Sequence, residues 1–263
     1  MSSEGNSSPS EIFMELASQT RLEILQMLEQ KPCRSTELAK KLNLTIQETH
    51  RNTSRLSKEK IIRKNSEGLF SLTEYGLLVT KQISYFTFLK KFQDFFEDHF
   101  TGNIPTKFQQ RIGSLKNSDL ILKATNVQEK IKKMENASKK YIRITLAQAW
   151  GEEGKILLDR MKNGIKVETV WDDDSVMPDE IDILVRTKFM RFKKSGKYGS
   201  RLYRGKIGIS TIITENTAAV LLPHKKDKID FHTMFVSKDE EFHEWCMDLF
   251  DYFWSKSVES RWP

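Results

Sequence analysis

The first third of the chain shows hydrophobic positions at helical spacing, separated by polar turn residues. Apolar residues recur every three or four positions between Ile12 and Leu28 and predict helical structure that ends before Pro32, because proline disfavours helical geometry in the residue before it. A second helix is predicted from a Ser35 cap to Asn43, a residue that tolerates the left-handed backbone of a helix end. Helical structure, a turn and a further helix are therefore expected within residues 12–43.

A third helix and a hairpin follow. Thr45 and Glu48 have the spacing of a capping box, which predicts a helix over residues 46–59. Beyond it, residues 61–64 and 69–72 have the composition of short strands, and the turn between them is polar and ends in glycine. Three helical patterns followed by a hairpin are the element order of a winged helix-turn-helix, which points to DNA.

In such a domain the third helix lies in the major groove and presents its exposed face to base edges. Thr49, Thr53 and Leu56 have the spacing of the inward face, so the other polar positions are expected to point outward. Glutamine can bridge adenine, arginine can bridge guanine, and lysine or arginine can neutralise phosphate. The predicted DNA-binding residues are Thr45, Gln47, His50, Arg51, Ser54, Arg55 and Lys58 on the helix, with Arg63 and Lys64 on the hairpin.

Basic residues are concentrated on the same segment. Residues 31–64 contain ten Lys or Arg against three Glu, whereas residues 1–30 contain one Arg against five Glu. A basic surface that coincides with a recognition motif is typical of nucleic-acid binding. The alternative is that the helices and hairpin form a module that docks onto proteins of the transcription machinery, with the charges as a solvated face.

Length, charge and cysteine content limit the remaining possibilities. The 263 residues predict two domains, and the net charge of +7 favours anionic partners. Cys33 and Cys246 lie far apart, so neither a disulfide framework nor a zinc site is predicted, and we expect no metal and no cofactor. No apolar run of about 18 residues occurs, so we expect a cytoplasmic protein without a membrane partner. Residues 1–11, small and polar at their start, are expected to be disordered.

An aromatic stripe follows the hairpin. A helix capped by Thr73 is predicted to run toward Phe100, with large apolar residues at three- and four-residue steps. Such a stripe must be buried, either against a second subunit or within one chain. Because a palindromic operator requires two readers, the first alternative predicts a homodimer. The predicted dimerisation residues are Tyr85, Phe88, Leu89, Phe92, Phe95 and Phe96.

The remainder of the chain alternates between strand and helix patterns. Predicted strands are residues 120–122, 141–146, 167–171 and 233–236, predicted helices are 127–137, 152–161 and 242–254, and residues 207–222 form a predicted hairpin. This alternation predicts an α/β domain with a mainly parallel sheet. The fold class is therefore an α+β winged helix-turn-helix followed by an α/β effector domain. The predicted divisions are 1–11 (disordered), 12–80 (DNA-binding domain), 81–118 (aromatic linker and dimerisation helices) and 119–263 (effector domain).

In an open α/β sheet, ligands bind beyond the carboxyl ends of the strands. Polar and aromatic residues follow two predicted strands, and residues 186–206, with nine Lys or Arg and no acidic residue, could contact DNA phosphate or an anionic ligand. For the aromatic residues, the alternative is that Trp150 and Trp171 pack between helix and sheet. For the basic stretch, the alternative is a solvated loop whose charge is balanced by the acidic residues before it. The candidate ligand-binding residues are Thr145, Gln148, Trp150, Trp171, Asp172, Arg201 and Tyr203.

One short motif has residue types that could support catalysis. The segment His224-Lys225-Lys226-Asp227 is similar to the histidine-lysine-aspartate signature of phospholipase-D-type phosphoryl transfer, but that signature requires an aspartate where this chain has Phe231. A histidine nucleophile without a correctly placed partner cannot form and resolve a phosphoenzyme efficiently. We therefore predict that the protein is not an enzyme, with phosphoryl transfer of this class kept as an alternative.

Three segments resemble a known family. Residues 17–25 (ASQTRLEIL), 44–52 (LTIQETHRN) and 72–76 (LTEYG) resemble archaeal winged-helix transcriptional regulators, in particular the methanogen filament-regulator family. The resemblance implies an ArsR-like reader before an effector domain, and its reader half is the more specific. The sugar-sensing archaeal regulators with a phospholipase-D-like effector domain are similar in architecture. The expected function is thus a dimeric, sequence-specific transcription regulator that binds double-stranded DNA and a small-molecule or anionic effector.

Overall fold

The structure is a computed structural model that describes residues 8–149, 151–226 and 228–259. It divides into two compact units, Met1–Ser84 and Tyr85–Pro263. Separate clusters of buried apolar side chains form the core of the first unit and the cores of the second. No described helix is both long enough and apolar enough to cross a membrane.

The first unit combines helices with a three-stranded antiparallel sheet. Its elements are α1 (Pro9–Leu16), α2 (Gln19–Gln30), β1 (Cys33–Arg34), α3 (Ser35–Leu42), α4 (Ile46–Lys58), β2 (Ile62–Lys64), β3 (Leu69–Leu72) and the start of α5 (Glu74–Lys91). The sheet order is β1-β3-β2, and β1 was not among the predicted strands. The first helical pattern is two helices, because Ser18 is extended (φ −118°, ψ 122°) and starts α2. Helix α1 begins inside the segment predicted to be disordered, of which residues 1–7 lie outside the described residues.

The core of the first unit contains side chains from successive helices. Ile24, Leu38 and Leu56 are completely buried, and burial of such a side chain contributes about 1.5–3 kcal/mol. Thr49 and Thr53, predicted to face inward with Leu56, are buried as well. Each threonine hydroxyl donates to the carbonyl four residues earlier, at 3.0 and 2.9 Å, so neither buried hydroxyl lacks a partner.

Helix α5 starts in close contact with the residue before β2. The hydroxyl of Thr73 accepts a hydrogen bond from the backbone N–H of Gly76 at 2.9 Å, as predicted for a helix cap. A Cβ atom at position 76 would lie 1.8 Å from the carbonyl oxygen of Ile61. Glycine is therefore required at this position for the helix to approach the sheet.

The second unit is built on one large sheet with helices on both faces. Its elements are α6 (Thr106–Gln109), β4 (Asp119–Leu122), α7 (Ala124–Ala137), β5 (Tyr141–Gln148), α8 (Gly151–Lys162), β6 (Lys166–Val176), α9 (Asp179–Leu184), α10 (Met190–Lys193), β7 (Tyr198–Tyr203), β8 (Ser210–Thr214), β9 (Ala218–Leu221), β10 (Pro223–His224), β11 (Lys228–Ile229), β12 (Thr233–Ser237), α11 (Glu240–Lys256) and β13 (Val258–Glu259). Apolar residues of α7, α8 and α9 cover one face. Helix α11 covers the other.

The sheet is mixed, which corrects the prediction of a mainly parallel sheet. Its order is β13-β7-β6-β5-β8-β9-β12-β4. Strands β5, β6 and β7 run parallel to one another, and the other five neighbouring pairs of this sheet are antiparallel. The β8–β9 hairpin lies between β5 and β12, and β4 pairs with β12. Strands that alternate with helices along the sequence are therefore not all neighbours in space.

The aromatic stripe lies in the core of the second unit. Phe88 is completely buried and Phe92 is 7% exposed, and their ring centroids lie 5.8 and 4.9 Å from that of Phe235. The other predicted dimerisation residues, Tyr85, Leu89, Phe95 and Phe96, are partly buried against the same core. This is the intramolecular alternative, and it corrects the dimerisation role of Phe88 and Phe92, whose side chains have little surface left for a second subunit.

Candidate nucleic-acid interface

Local signals determine where α3 ends and α4 begins. Asn43 follows α3 with a left-handed backbone (φ 52°). The hydroxyl of Thr45 accepts from the backbone N–H of Glu48 at 3.1 Å, and the N–H of Thr45 donates to the Glu48 carboxylate at 2.9 Å. These hydrogen bonds from the backbone and side chain of Thr45 lower the pKa of Glu48. The Glu48 carboxylate is thus used to cap α4.

All nine predicted DNA-binding residues are exposed. The seven on and before α4 lie opposite a buried face made of Thr49, Asn52, Thr53 and Leu56. Asn52 is 6% exposed, and its amide donates to the carbonyl of Glu48 at 2.9 Å. Helix α4 therefore presents glutamine, histidine, arginine, serine and lysine side chains to solvent, the types that contact bases and phosphates.

A buried ion-pair network connects this helix to α1 and α2. The Glu15 side chain, 8% exposed, lies 3.1 Å from Nε of Arg21 and 2.5 Å from Nη2 of Arg55. Arg21 also donates to the backbone carbonyls of Glu15 and Met14, at 2.7 and 2.8 Å. Its Nη1 lies 3.5 Å from the Asn52 amide oxygen. The network joins the first helix of the unit to the exposed helix α4.

The network changes the role expected of Arg55. Nε of Arg55 also donates to Glu15, at 3.0 Å, although the arginine side chain is 51% exposed. The hydrogen bond from Arg55 lowers the pKa of Glu15 against the opposing effect of burial, and the charge of Arg21 lowers it further. Arg55 is thus held by a carboxylate on α1 and positions α4. Sequence reasoning missed Glu15 and Arg21, and the available signal was a charged residue among apolar positions of a helix.

The hairpin extends the exposed basic surface. Arg63 and Lys64 are exposed on β2, and the Lys64 ammonium lies 5.5 Å from the centre of the Phe70 ring. The turn between β2 and β3 is fixed by the Asn65 side chain, which accepts from the backbone N–H groups of Glu67 and Leu69 at 3.0 and 2.9 Å. The basic side chains are therefore carried by a well-defined hairpin.

Several cations of this surface have no carboxylate partner. Arg51 and Lys58 on α4, and Arg63 on β2, form no ion pair within the described part of the chain. Glu48, the acidic residue nearest to Arg51 along α4, is engaged in the helix cap. The basic charge is consequently available to an anionic partner.

The predicted ligand-binding residues of the second unit come together in part. Three of them lie where the regular parallel pairing of the strands ends, with Leu146 aligned with Trp171 and Asp172 aligned with Tyr203. Successive residues of a strand point to opposite sides of the sheet. Thr145, Asp172, Arg201 and Tyr203 therefore point to one side, and Trp171 points to the other. Gln148 is half-buried at the end of β5, and Trp150 lies outside the described residues.

The polar members of this group have partners within the protein. The Thr145 hydroxyl is buried and lies 3.1 Å from that of Thr211. The Asp172 carboxylate accepts from the backbone N–H of Ile207 at 2.8 Å and from the hydroxyl of Ser175 at 2.7 Å. These contacts support the ends of the strands. A ligand-binding role for this group stays a prediction.

The aromatic and basic members also pack internally. Trp171 is 4% exposed and belongs to the core between sheet and helices, the alternative expected for it. Arg201 donates to the carbonyl of Trp254 at 2.8 Å and lies over its ring at 4.9 Å. The Tyr203 ring packs against Phe253, with centroids 5.1 Å apart.

The basic stretch at residues 186–206 is not one loop. It contains a π-helical turn (Val185–Phe189), α10 and β7, the last of which is a strand within the sheet. Arg186 and Arg204 pair with Asp182 and Asp173, at 2.8 and 3.3 Å. Acidic residues that precede the stretch in sequence therefore balance part of its charge.

The histidine-lysine motif lies beside a second histidine. The rings of His224 and His99 are 5.4 Å apart, and Nε2 of His99 lies 3.0 Å from the Asp230 carboxylate. Nδ1 of His224 accepts from the backbone N–H of Lys226 at 3.3 Å. Asp227 lies outside the described residues. Within the described residues, no three or more His, Cys, Asp or Glu side chains form a group that could hold a metal ion.

Two solved structures are similar to this chain at low sequence identity. TrmBL2, an archaeal chromatin protein reported with a novel mode of DNA binding, is 13% identical over 96% of this chain and 100% of its own, with a TM-score of 0.44. Nuc of Salmonella typhimurium, a phospholipase D family member, is 14% identical over 55% of this chain and 98% of its own, with a TM-score of 0.42. Similarities this low carry no argument about function.

Two family models match separate parts of the sequence. Residues 10–91 match the HVO_A0261 N-terminal domain, and residues 126–256 match the middle domain of the methanogenesis regulatory protein FilR1. Comparison with curated protein sequences gave no match. The second unit is thus similar to a domain of a regulatory protein.

Proposed function

We propose that this chain is a homodimeric, sequence-specific DNA-binding transcription regulator. Its first unit is an ArsR-like winged helix-turn-helix, and its second unit binds an effector. The proposal rests mainly on the two faces of α4. One face is buried and consists of Thr49, Asn52, Thr53 and Leu56, and the other is exposed and carries all the predicted DNA contacts on that helix.

The exposed residues fall into two groups by chemistry. Gln47, His50 and Arg51 lie in the first half of α4, the part of a recognition helix that reaches base edges, and they read sequence. Lys58, Arg63 and Lys64 neutralise backbone phosphates, which provides affinity without sequence preference. Arg55 pairs with Glu15 and thereby fixes the position of α4 relative to α1.

Exposed apolar side chains on the first unit support the proposal of a dimer. Met14 on α1 is 59% exposed, and Tyr75 and Leu78 on α5 are 42% and 63% exposed. Tyr75 and Leu78 are three positions apart and so lie on the same side of α5. Adjacent exposed apolar side chains favour a protein partner. A second copy that covers them would supply the second reader needed for a palindromic site.

Effector binding would act by population shift. A ligand that prefers one arrangement of the two subunits changes the spacing of the two recognition helices. The free energy of operator binding then changes by at most the difference between the free energies with which the ligand binds the two arrangements.

A gel-shift titration against genomic fragments at two salt concentrations tests the DNA-binding function. We expect retardation of a subset of fragments, with affinity that falls steeply as salt rises. Arg51→Ala should weaken that binding, whereas Lys162→Ala, which removes the same charge from the exposed surface of α8, should not. The docking-module alternative predicts no retardation of any fragment and binding to an acidic protein instead.

A further inference from the structure

The second unit contains a cavity of about 330 Å³ between α7, α8 and α9. Glu135 and Glu153 are buried at this cavity, and Ile131 provides an apolar wall. The other lining residues are Gln128, Lys132, Gly151, Glu152, Lys155 and Glu180. A volume of this size lies at the lower end of the range for small-molecule sites, roughly 300–1,000 Å³.

Glu135 is a buried carboxyl group without a hydrogen-bond donor. Its side chain is completely buried, and neither of its carboxylate oxygens accepts a hydrogen bond from the described residues. Burial raises the pKa of Glu135 well above its ordinary value, and the charge of the adjacent Glu153 carboxylate, together with the hydrogen bond that the protonated Glu135 can donate to it, raises the pKa further. In the absence of a ligand, Glu135 thus keeps a proton far above the pH at which an exposed glutamate loses it.

The charges that face Glu135 leave the cavity electronegative. Helix α8 contributes Glu152, Glu153 and Lys155, helix α9 contributes Glu180, and α7 contributes Lys132 beside Glu135 itself. The Lys132 ammonium pairs with Glu152 at the rim, so it only partly offsets the effect of the carboxyl groups. Four carboxyl groups and two ammonium groups line the cavity, so the remaining carboxyl groups outnumber the ammonium groups even while Glu135 keeps its proton. This composition favours a cationic occupant.

We propose that the cavity binds a small aliphatic amine whose ammonium group donates hydrogen bonds to the Glu135 carboxylate. An ammonium supplies three N–H donors, which satisfies the carboxylate oxygens that the described protein groups leave unsatisfied. The methylene groups of the amine would contact Ile131. A second amino group would meet the exposed carboxylates of Glu152 and Glu180, so a diamine should bind more tightly than a monoamine.

An organic cation fits better than a metal ion. No three or more His, Cys, Asp or Glu side chains are grouped closely enough to hold a metal ion in the described part of the chain. The cavity volume is about ten times the volume that one molecule occupies in liquid water, roughly 30 Å³. A bare divalent ion would leave most of that space and the apolar wall unused.

Binding should be linked to proton release. An amine is already protonated near neutral pH, whereas Glu135 is neutral in the empty cavity, so the carboxyl group must lose its proton to solvent as the ammonium binds. One proton is released for each amine bound. Affinity should therefore rise with pH until Glu135 ionises in the free protein.

Isothermal titration of the full chain with 1,4-diaminobutane tests the proposal. We expect saturable binding whose heat differs between two buffers of different ionisation enthalpy, which reports the released proton. Glu135→Gln should weaken binding at least about tenfold, whereas Glu129→Gln, on the exposed face of the same helix, should leave it unchanged. The nearly isosteric 1,4-butanediol should give no saturable heat.

Four results would overturn the proposal. They are no saturable binding of the diamine, equal binding by Glu135→Gln, equal binding of the diol, and a Glu135-dependent heat with magnesium chloride alone. The wild-type comparison of buffers and of diamine with diol does not depend on any variant folding. The effector role of this amine rests on the proposed function, but the titration contains no DNA, so its failure is distinguishable from a failure of the gel shift.

Discussion

The replacement Glu15→Gln probes the ion-pair network that holds α4 in place. The Glu15 side chain is 8% exposed and pairs with Arg21 at 3.1 Å and with Arg55 at 2.5 Å. Glutamine keeps the size of the side chain but removes the negative charge. The first unit should therefore lose stability without losing a packing contact.

The magnitude follows from what the two arginines keep. Breaking a buried ion pair costs about 3–5 kcal/mol when it strands a charge. Arg21 retains two backbone carbonyl acceptors, at 2.7 and 2.8 Å. Arg55 is 51% exposed, so solvent screens its attraction to Glu15. We expect a loss of about 2 kcal/mol, the value of a hydrogen bond to a charged group, which lowers Tm by roughly 10 °C for a domain of this size.

Urea unfolding followed by two signals locates the loss. All five tryptophans follow residue 149, so tryptophan fluorescence reports on the second unit, whereas far-ultraviolet circular dichroism reports on both. Glu15→Gln should lower the midpoint of the dichroism transition that belongs to the first unit. Glu11→Gln, which changes an exposed residue on the same helix, should alter the free energy of unfolding by less than about 0.5 kcal/mol.

The effect should also depend on pH. The folded-state pKa of Glu15 lies below its ordinary value of 4.5, chiefly through the hydrogen bond from Arg55. The stabilisation by this carboxylate is thus present above the unfolded-state pKa and is lost as pH falls through the folded-state pKa. The difference between wild type and Glu15→Gln should shrink in acid. Equal midpoints for Glu15→Gln and Glu11→Gln at neutral pH would refute this account of the network.

Three further predictions concern other parts of the molecule. Gly76→Ala would place a Cβ 1.8 Å from the Ile61 carbonyl oxygen, so the first unit should lose about 3 kcal/mol or fail to fold, as urea unfolding would show. The pKa of Glu135 is raised in the folded state, so wild type should lose stability as pH rises from 4.5 toward that pKa, by up to about 1.4 kcal/mol per pH unit. Glu135→Gln should remove this contribution and flatten the pH profile of Tm. Parallel profiles for the two proteins would contradict this. Lys64→Ala should reduce the slope of log affinity against log salt by about one while sequence preference is unchanged, as anisotropy titrations would show.

The first unit was predictable where local signals are strong. The Thr45–Glu48 capping box and Asn43 give the start of α4 and the end of α3, because these signals act within a few residues. The inward positions of Thr49, Thr53 and Leu56 follow from helical spacing. The pairing of Glu15 with Arg55 was not predictable, since it joins residues forty positions apart along the chain.

The second unit shows the limit of reasoning from the order of elements. Strand and helix patterns at β5, α8 and β6 predict a parallel pair, and that pair exists. The order of elements does not specify that β4 pairs with β12, or that the β8–β9 hairpin enters the sheet beside β5. These pairings depend on long-range packing.

The candidate sites were predictable to different degrees. Exposure on α4 follows from periodicity alone, whereas the group at the strand ends has the expected location but hydrogen bonds within the protein. Glu135 and Glu153 form part of amphipathic helix patterns and carry no sequence signal of their burial. Their environment is known once α7 and α8 are packed together.

The central claim is that the exposed face of α4 reads DNA sequence. The most direct test measures the binding of wild type and Arg51→Ala to a duplex selected by the protein and to a random duplex of the same length, at one salt concentration. The account predicts a loss of about 1–3 kcal/mol on the selected duplex and a much smaller loss on the random one. Equal losses on both duplexes, or no binding of the wild-type protein to either, would contradict it.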